Sequence, residues 1–163
     1  MSETKLRIRR LGDAALRKKA KEIKAITASH AQILNTMAQL MYESSGIGLA
    51  ANQVGINESM MGADIGLGLY KLINPKIVKR EGWQAMEEGC LSVPGISVKV
   101  KRAKKVKVLA IDENAKPIAI EAEGLMACVF QHEIDHLKGK LIIDYASFFK
   151  RWKIKKQESI HEL

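Results

Sequence analysis

Gly124-Leu125-Met126-Ala127-Cys128-Val129-Phe130-Gln131-His132-Glu133-Ile134-Asp135-His136-Leu137-Lys138-Gly139 runs between two glycines with no proline and no internal glycine. Glycine just past the last periodic position is a common helix stop, so one helix from Leu125 to Lys138, closed by Gly139, is expected. Within it lies His132-Glu133-x-x-His136. At about 100° per residue, positions four apart sit roughly 40° apart around the axis and one turn along it, so both imidazoles reach one metal ion. Glu133 projects off that face, where a carboxylate takes a proton from an attacking water without being a ligand. Two hydrogen-bonded surface histidines meet the same spacing, and the spacing alone leaves both readings open. Leu125, Cys128, Val129, His132 and His136 recur at three or four, so apolar groups lead along one face to the histidines. Such a face is either core or the wall of a pocket for an unbranched side chain.

Catalytic metal sites commonly take three protein ligands and keep one position open. Downstream of His136, Asp144, Glu158, His161 and Glu162 have no recommending context. Upstream, Cys90 does. It lies in Glu87-Glu88-Gly89-Cys90-Leu91-Ser92-Val93-Pro94, where the preceding glycine permits close backbone approach and the proline favours an extended exit. A lone cysteine is otherwise a small buried hydrophobe, and spacing does not choose between the two. One thiolate and two imidazoles with an open position suit zinc or ferrous iron.

Further upstream the pattern changes. Period-two apolar runs at 96–102, 105–111 and 117–123 read as antiparallel strands, with Asp112-Glu113-Asn114 supplying a turn and weaker strand candidates at 70–80 and 83–87. Ile33, Met37, Leu40 and Met41 predict an amphipathic helix capped at Thr27 or Ser29 and ending near Gly46. A basic helix is expected at about 145–157. The fold class expected is α+β: antiparallel strands packed around the late, metal-binding helix in a single compact domain covering 1–163.

The 163 residues are 47% apolar and 28% charged, which excludes a disordered or low-complexity chain. Two cysteines are too few for a disulfide scaffold. No apolar run approaches the ~18 residues of a membrane span, and the start lacks the apolar stretch of a secretion signal. The net charge of +9 is concentrated at residues 1–25, 99–107 and 150–163, and such patches attract RNA or other polyanions.

Three motifs in order resemble the peptide deformylases: Gly46-Ile47-Gly48-Leu49-Ala50-Ala51-Asn52-Gln53, Glu88-Gly89-Cys90-Leu91-Ser92 and Gln131 to His136. Leu72-Ile73-Asn74-Pro75, the strand region through Arg102, and Gly12-Asp13 with Leu16-Arg17 extend the likeness over about residues 6–150. The resemblance implies hydrolytic removal of the formyl group from the N-terminal formyl-methionine of new polypeptides, releasing formate. It implies one ion per chain held by Cys90, His132 and His136, with Fe2+ favoured over Zn2+ or another divalent metal. Glu133 would be the general base, Gln53 and the Leu91 N–H would polarise the formyl oxygen, and Ile47 and Gly48 would run alongside the bound peptide. Leu125, Cys128 and Val129 would line the methionine pocket.

Two departures from the family pattern stand out. Glu58-Ser59-Met60-Met61-Gly62-Ala63-Asp64-Ile65 replaces an arginine and a β-branched run, so a weak or bulged strand is expected there. Gly12-Asp13-Ala14 lacks a proline common after the aspartate, a change expected to touch only a turn. Because the likeness begins within a few residues of Met1, a cytoplasmic protein without transit peptide is expected. The tail from Phe148 to Lys156 mixes aromatics with positive charge and resembles the helix by which some deformylases approach the ribosome; neither membrane nor DNA is an expected partner. The rival readings are an H-E-x-x-H peptidase cutting internal bonds, and a basic RNA-binding module with a structural metal. Formate release separates the first, and a fourth protein ligand would mark the second.

Overall fold

The computed structural model describes residues 5–161; residues 1–4 and 162–163, Glu162 and the two ends of the expected domain among them, lie outside the described residues. The first helix, α1 (Ala28–Glu43), begins where expected, at Thr27, whose backbone N–H donates to His30 Nδ1 at 2.9 Å. Its buried stripe is Leu34, Met37, Ala38 and Met41. Seven strands follow: β1 (Gly48–Ala50), β2 (Met60–Ala63), β3 (Tyr70–Glu81), β4 (Gln84–Cys90), β5 (Val93–Arg102), β6 (Lys105–Ile111) and β7 (Pro117–Glu123). All their pairings are antiparallel. They form a five-stranded sheet in the order β1-β2-β3-β6-β7 and a separate hairpin, β4-β5. Asp112 makes the turn between β6 and β7, its Oδ1 accepting the N–H groups of Asn114 and Lys116 at 2.9 Å each.

The second helix, α2 (Leu125–Leu137), carries His132 and His136. Alternation along the central strands sends Met61 and Leu72 into one core with Phe130 and Ile134 of α2, and Met60 and Ile73 into another with Leu34 and Met37 of α1. The two helices therefore pack on opposite faces of the large sheet. Gly139 ends α2 at φ 77°, and a Cβ there would lie 2.5 Å from the Arg17 carbonyl oxygen, so both conformation and space require glycine. The hairpin β4-β5 packs through Val98 and Val100 on Ile142 and Ala146, which flank a single turn of 3-10 helix.

Two expectations are corrected. Residues 60–63 form a regular strand, paired without interruption to β1 and β3; the irregularities fall in β3 instead. Met60, Met61 and Ala63 are fully buried, and hydrogen bonding on both sides overrides poor strand propensity. The basic helix is α3 (Phe148–His161), about three residues later than expected. Tyr145 belongs to the preceding 3-10 turn, and Ser147 precedes the helix, its Oγ accepting the Lys150 N–H at 3.3 Å. The missing proline after Asp13 does only local work: Asp13 itself caps the turn Ala14–Arg17 by accepting the Ala15 N–H at 2.9 Å. Among the described residues no helix is long and apolar enough to cross a membrane.

Candidate active site

The site forms where α2, the β4-β5 turn and the β1 segment meet. Leu91 and Ser92 make a two-residue turn between β4 and β5, placing Cys90 at the end of β4 against α2. Its Sγ lies 3.3 Å from His136 Nε2, and His136 Nε2 lies 3.1 Å from His132 Nε2. All three donor atoms fall within 4.8 Å of one another. A tetrahedral ion at the usual Zn–N and Zn–S lengths spaces its ligand atoms roughly 3.4–3.6 Å apart, close to the two spacings of 3.3 and 3.1 Å that meet at His136. Two imidazole nitrogens 3.1 Å apart call for a cation or a shared proton between them. The residues present therefore fit a divalent ion with soft and borderline ligands.

His132 is oriented from behind. Its Nδ1 lies 2.9 Å from Glu88 Oε1, which leaves Nε2 directed at Cys90 and His136. Burial pulls the His132 pKa down, but the hydrogen bonds to Cys90 and Glu88 and the charge of Glu133 outweigh it and raise it to about 10. Without an ion, this ring is the cation of the site. His136 is the reverse case. It is 1% exposed, and burial, together with the positive charge of His132, holds it well below its ordinary value, so it is a neutral ligand. Its backbone carbonyl accepts from Asn52 Nδ2.

Glu88 does not stand alone. Arg102 forks onto it, with Nε to Oε2 at 2.9 Å and a terminal nitrogen to Oε1 at 2.8 Å, and also pairs with Asp135, which accepts from Tyr145 Oη at 2.6 Å. Burial raises the Glu88 pKa, but His132 and Arg102 more than offset it and hold the carboxyl below its usual range. This buried network was missed in the sequence. Glu88 stood in a quoted motif, and the signal that would have found it is that β4 alternation puts Glu88 and Cys90 on one face.

Glu133 is 4% exposed, and its Oε2 has no hydrogen-bond partner. Oε1 lies 4.0 Å from His132 Nε2. Burial, opposed by His132, raises its pKa to about 7. A Cβ on Gly48 would come within 2.3 Å of Glu133 Oε1, so the missing side chain of Gly48 is the space the carboxylate occupies. Gln53 is pinned by its own backbone neighbourhood: Oε1 accepts the Ala50 N–H at 2.9 Å, which turns Nε2 toward Ser92 Oγ at 3.1 Å and Cys90 Sγ at 3.6 Å. The donor end of the amide thus faces the ion-binding side.

Of the expected site residues, Ile47, Gly48, Gln53, Cys90, Leu91, Leu125, Cys128, Val129, His132 and Glu133 line one pocket of about 420 Å³, and His136 lies beneath it. Met86 joins the apolar wall and was not foreseen. Ile47 and Leu125 are 44% and 46% exposed and form its rim. β1 is the terminal strand of the large sheet, and its first residue, Gly48, lines the pocket.

Comparison with known proteins agrees with this geometry. The family model described as polypeptide deformylase matches residues 5–152. A peptide deformylase of Thermoanaerobacter pseudethanolicus is 51% identical over 142 residues, covering 87% of this chain and 89% of that protein. The crystal structure of a Legionella pneumophila peptide deformylase superposes with a TM-score of 0.90 at 40% identity, covering 96% of this chain and 95% of that one. A peptide deformylase from Ehrlichia chaffeensis, solved in complex with actinonin, superposes at 0.91 with 33% identity, covering 96% and 97%. With likeness this extensive in sequence and in backbone, the chain belongs to the polypeptide deformylase family, and its reaction is the metal-dependent removal of an N-terminal formyl group.

Proposed function

We propose that Cys90, His132 and His136 hold one Fe2+ ion per chain, that Glu133 is the general base, and that the substrates are formyl-methionyl ends of newly made polypeptides. The observation that carries this reading is the convergence of three donor atoms within 4.8 Å beside a buried carboxylate oxygen without a partner. When bound, a divalent ion at such a site polarises the reacting oxygens and eases deprotonation of water. Glu133 takes the proton of the attacking water as the new C–O bond forms at the formyl carbon. As the C–N bond breaks, it returns that proton to the departing amine, leaving formate and a free N-terminus. Gln53 Nε2 and the Leu91 N–H donate to the formyl oxygen, where negative charge builds; one aimed donor of this kind is worth about 3 to 4 kcal/mol. Met86, Leu125, Cys128 and Val129 receive the methionine side chain, a flexible thioether suited to an apolar wall containing other sulfur groups. The peptide adds as a strand along the Ile47–Gly48 edge.

Iron is favoured by the family resemblance, the donor set itself suiting zinc equally, and activity of the iron-loaded protein is expected to be lost in air. We also place α3 against the ribosome. Among its described side chains only Ile154 of this helix is buried, while Phe148, Phe149 and Trp152 are exposed, with Lys153 and Lys156 set over the Phe149 and Trp152 rings at 5.9 and 5.1 Å.

The deciding experiment is formate release by anaerobically prepared protein on formyl-Met-Ala and formyl-Ala-Ala, alongside metal analysis of the parent and of Glu133→Gln. The parent should favour the methionyl peptide by at least tenfold, and the variant should keep its metal and lose at least a hundredfold in kcat. Normal formate release by a metal-loaded Glu133→Gln protein would remove Glu133 from its role. Cleavage of internal bonds in unformylated peptides would restore the peptidase reading.

A further inference from the structure

The basic run at 99–107 plays no part in the reaction, and the fold divides it. Arg102 is buried between Glu88 and Asp135, Lys105 pairs with Glu123 at 3.4 Å, and Lys107 lies among Lys79, Glu81 and Glu121, where the charges balance. Lys99, Lys101 and Lys104 remain, all exposed and none ion-paired among the described residues; Lys104 sits in the turn between β5 and β6, while Lys99 and Lys101 share one face of β5. Glu87 lies opposite Lys99 in the ladder, its carboxylate accepting from Ser97 Oγ at 3.0 Å, so one negative charge stands beside the two lysines.

Beside them stands Trp83, 69% exposed, at the corner where the chain leaves the large sheet for the hairpin. Lys101 Nζ lies 4.7 Å from its ring centroid. The corner is rigid, because Gln84 Nε2 donates to the carbonyls of Ala103 and Gly124 at 3.2 and 2.9 Å. A shallow groove of about 490 Å³ runs from Trp83 past Lys99 and Lys101. A second, of about 270 Å³, is also lined by Trp83 and Lys101, together with Arg80, Lys138 and Lys140, the last donating to Tyr145 Oη at 3.3 Å. The acidic group lining that groove, Asp135, is already engaged by Arg102 and Tyr145.

We infer that this surface binds unpaired RNA, with a base stacked on Trp83 and the neighbouring phosphates lying along the lysines of the two grooves. An aromatic platform set between cationic tracks is the arrangement that holds single strands without reading sequence, since every base offers a face and every linkage a charge. RNA is the occupant because the substrates are new polypeptides, which leave an RNA-rich machine; that clause rests on the function proposed above. None of Trp83, Lys99 and Lys101 lines the catalytic pocket, and none belongs to α3.

The test uses the full chain carrying Trp152→Phe, so that Trp83 is the remaining one of the two tryptophans. Its emission is followed during titration with a twelve-nucleotide oligouridylate at 50 and 200 mM salt, and formate release is read in the same samples. Saturable quenching is expected, weakening with salt. By anisotropy of labelled RNA, Trp83→Leu should bind about tenfold more weakly. Lys99→Gln with Lys101→Gln should reduce the slope of log K against log salt by about 1.4. Formate release should be unchanged throughout. Absence of quenching, parental RNA affinity in Trp83→Leu, or equal competition by polyglutamate would each overturn the inference, the last by pointing to an acidic protein instead. A parent that binds RNA but releases no formate would leave this surface standing and sink the catalytic reading.

Discussion

Gly48 and Glu133 show how much a single missing methyl group controls. The Glu133 carboxylate occupies the volume that any side chain at 48 would need. Gly48→Ala is therefore expected to displace the base by about 1 Å and lower kcat roughly a hundredfold while the melting temperature changes little; a variant with parental kcat would show that the carboxylate has other room. The protonation of Glu133 is open to a direct check. Burial raises its pKa to about 7 without an ion, and a neighbouring divalent charge pulls a carboxyl back down. In its proposed role Glu133 works ionised, so kcat/KM of the loaded protein should rise with pH through a limb below pH 7, and Glu133→Asp should shift that limb. A profile flat down to pH 4 would contradict the assignment.

At the scale of elements, the catalytic parts come from pieces that differ in how plainly the sequence announced them. The α2 helix was legible because its boundary glycine and its i, i+4 histidines are local signals, and β5 to β7 were legible because alternation is local too. The Met60–Ala63 strand was not, since two methionines, a glycine and an alanine have no β signature until sheet partners flank them on both sides. Nor does any local pattern reveal that β4 and β5 leave the main sheet, or that Arg102, one of six bases in a row of nine residues, is the one turned inward. The site was read through its donors; what braces them lies on other elements. That bracing is testable. Glu88→Gln removes the carboxylate between His132 and Arg102 and should cost about 3 kcal/mol in urea unfolding at neutral pH, with metal affinity falling 10- to 100-fold. The Glu88 pKa is depressed in the folded state, so its stabilisation is complete above the ordinary glutamate range and vanishes as pH falls through the depressed value. The gap between parent and variant should therefore close in acid; a gap that widened there would refute the linkage. Helix α3 is the contrasting case. With Ile154 its one buried side chain, deletion of 150–163 should cost about 2 kcal/mol in unfolding and leave formate release intact, while salt-sensitive ribosome sedimentation is lost. Unchanged sedimentation would refute the α3 contact.

Taken whole, the molecule separates its chemistry from its charge. The net +9 is carried away from the pocket, on the N-terminal segment, the outer face of β5 and α3, while no lysine or arginine lines the pocket, whose walls are mostly apolar. On the readings proposed above, attraction to a polyanion and recognition of the methionine side chain fall to different surfaces, and the first should respond to salt far more than the second. A last consequence belongs to β1. Sheets that leave a border unpaired invite copies of themselves to stack there, yet under the proposed mode of binding this border has to stay bare for a client chain to zip on. At three residues, ending at once in a tight turn, it is long enough to grip the tip of a visiting polypeptide and too short to seed fibrils.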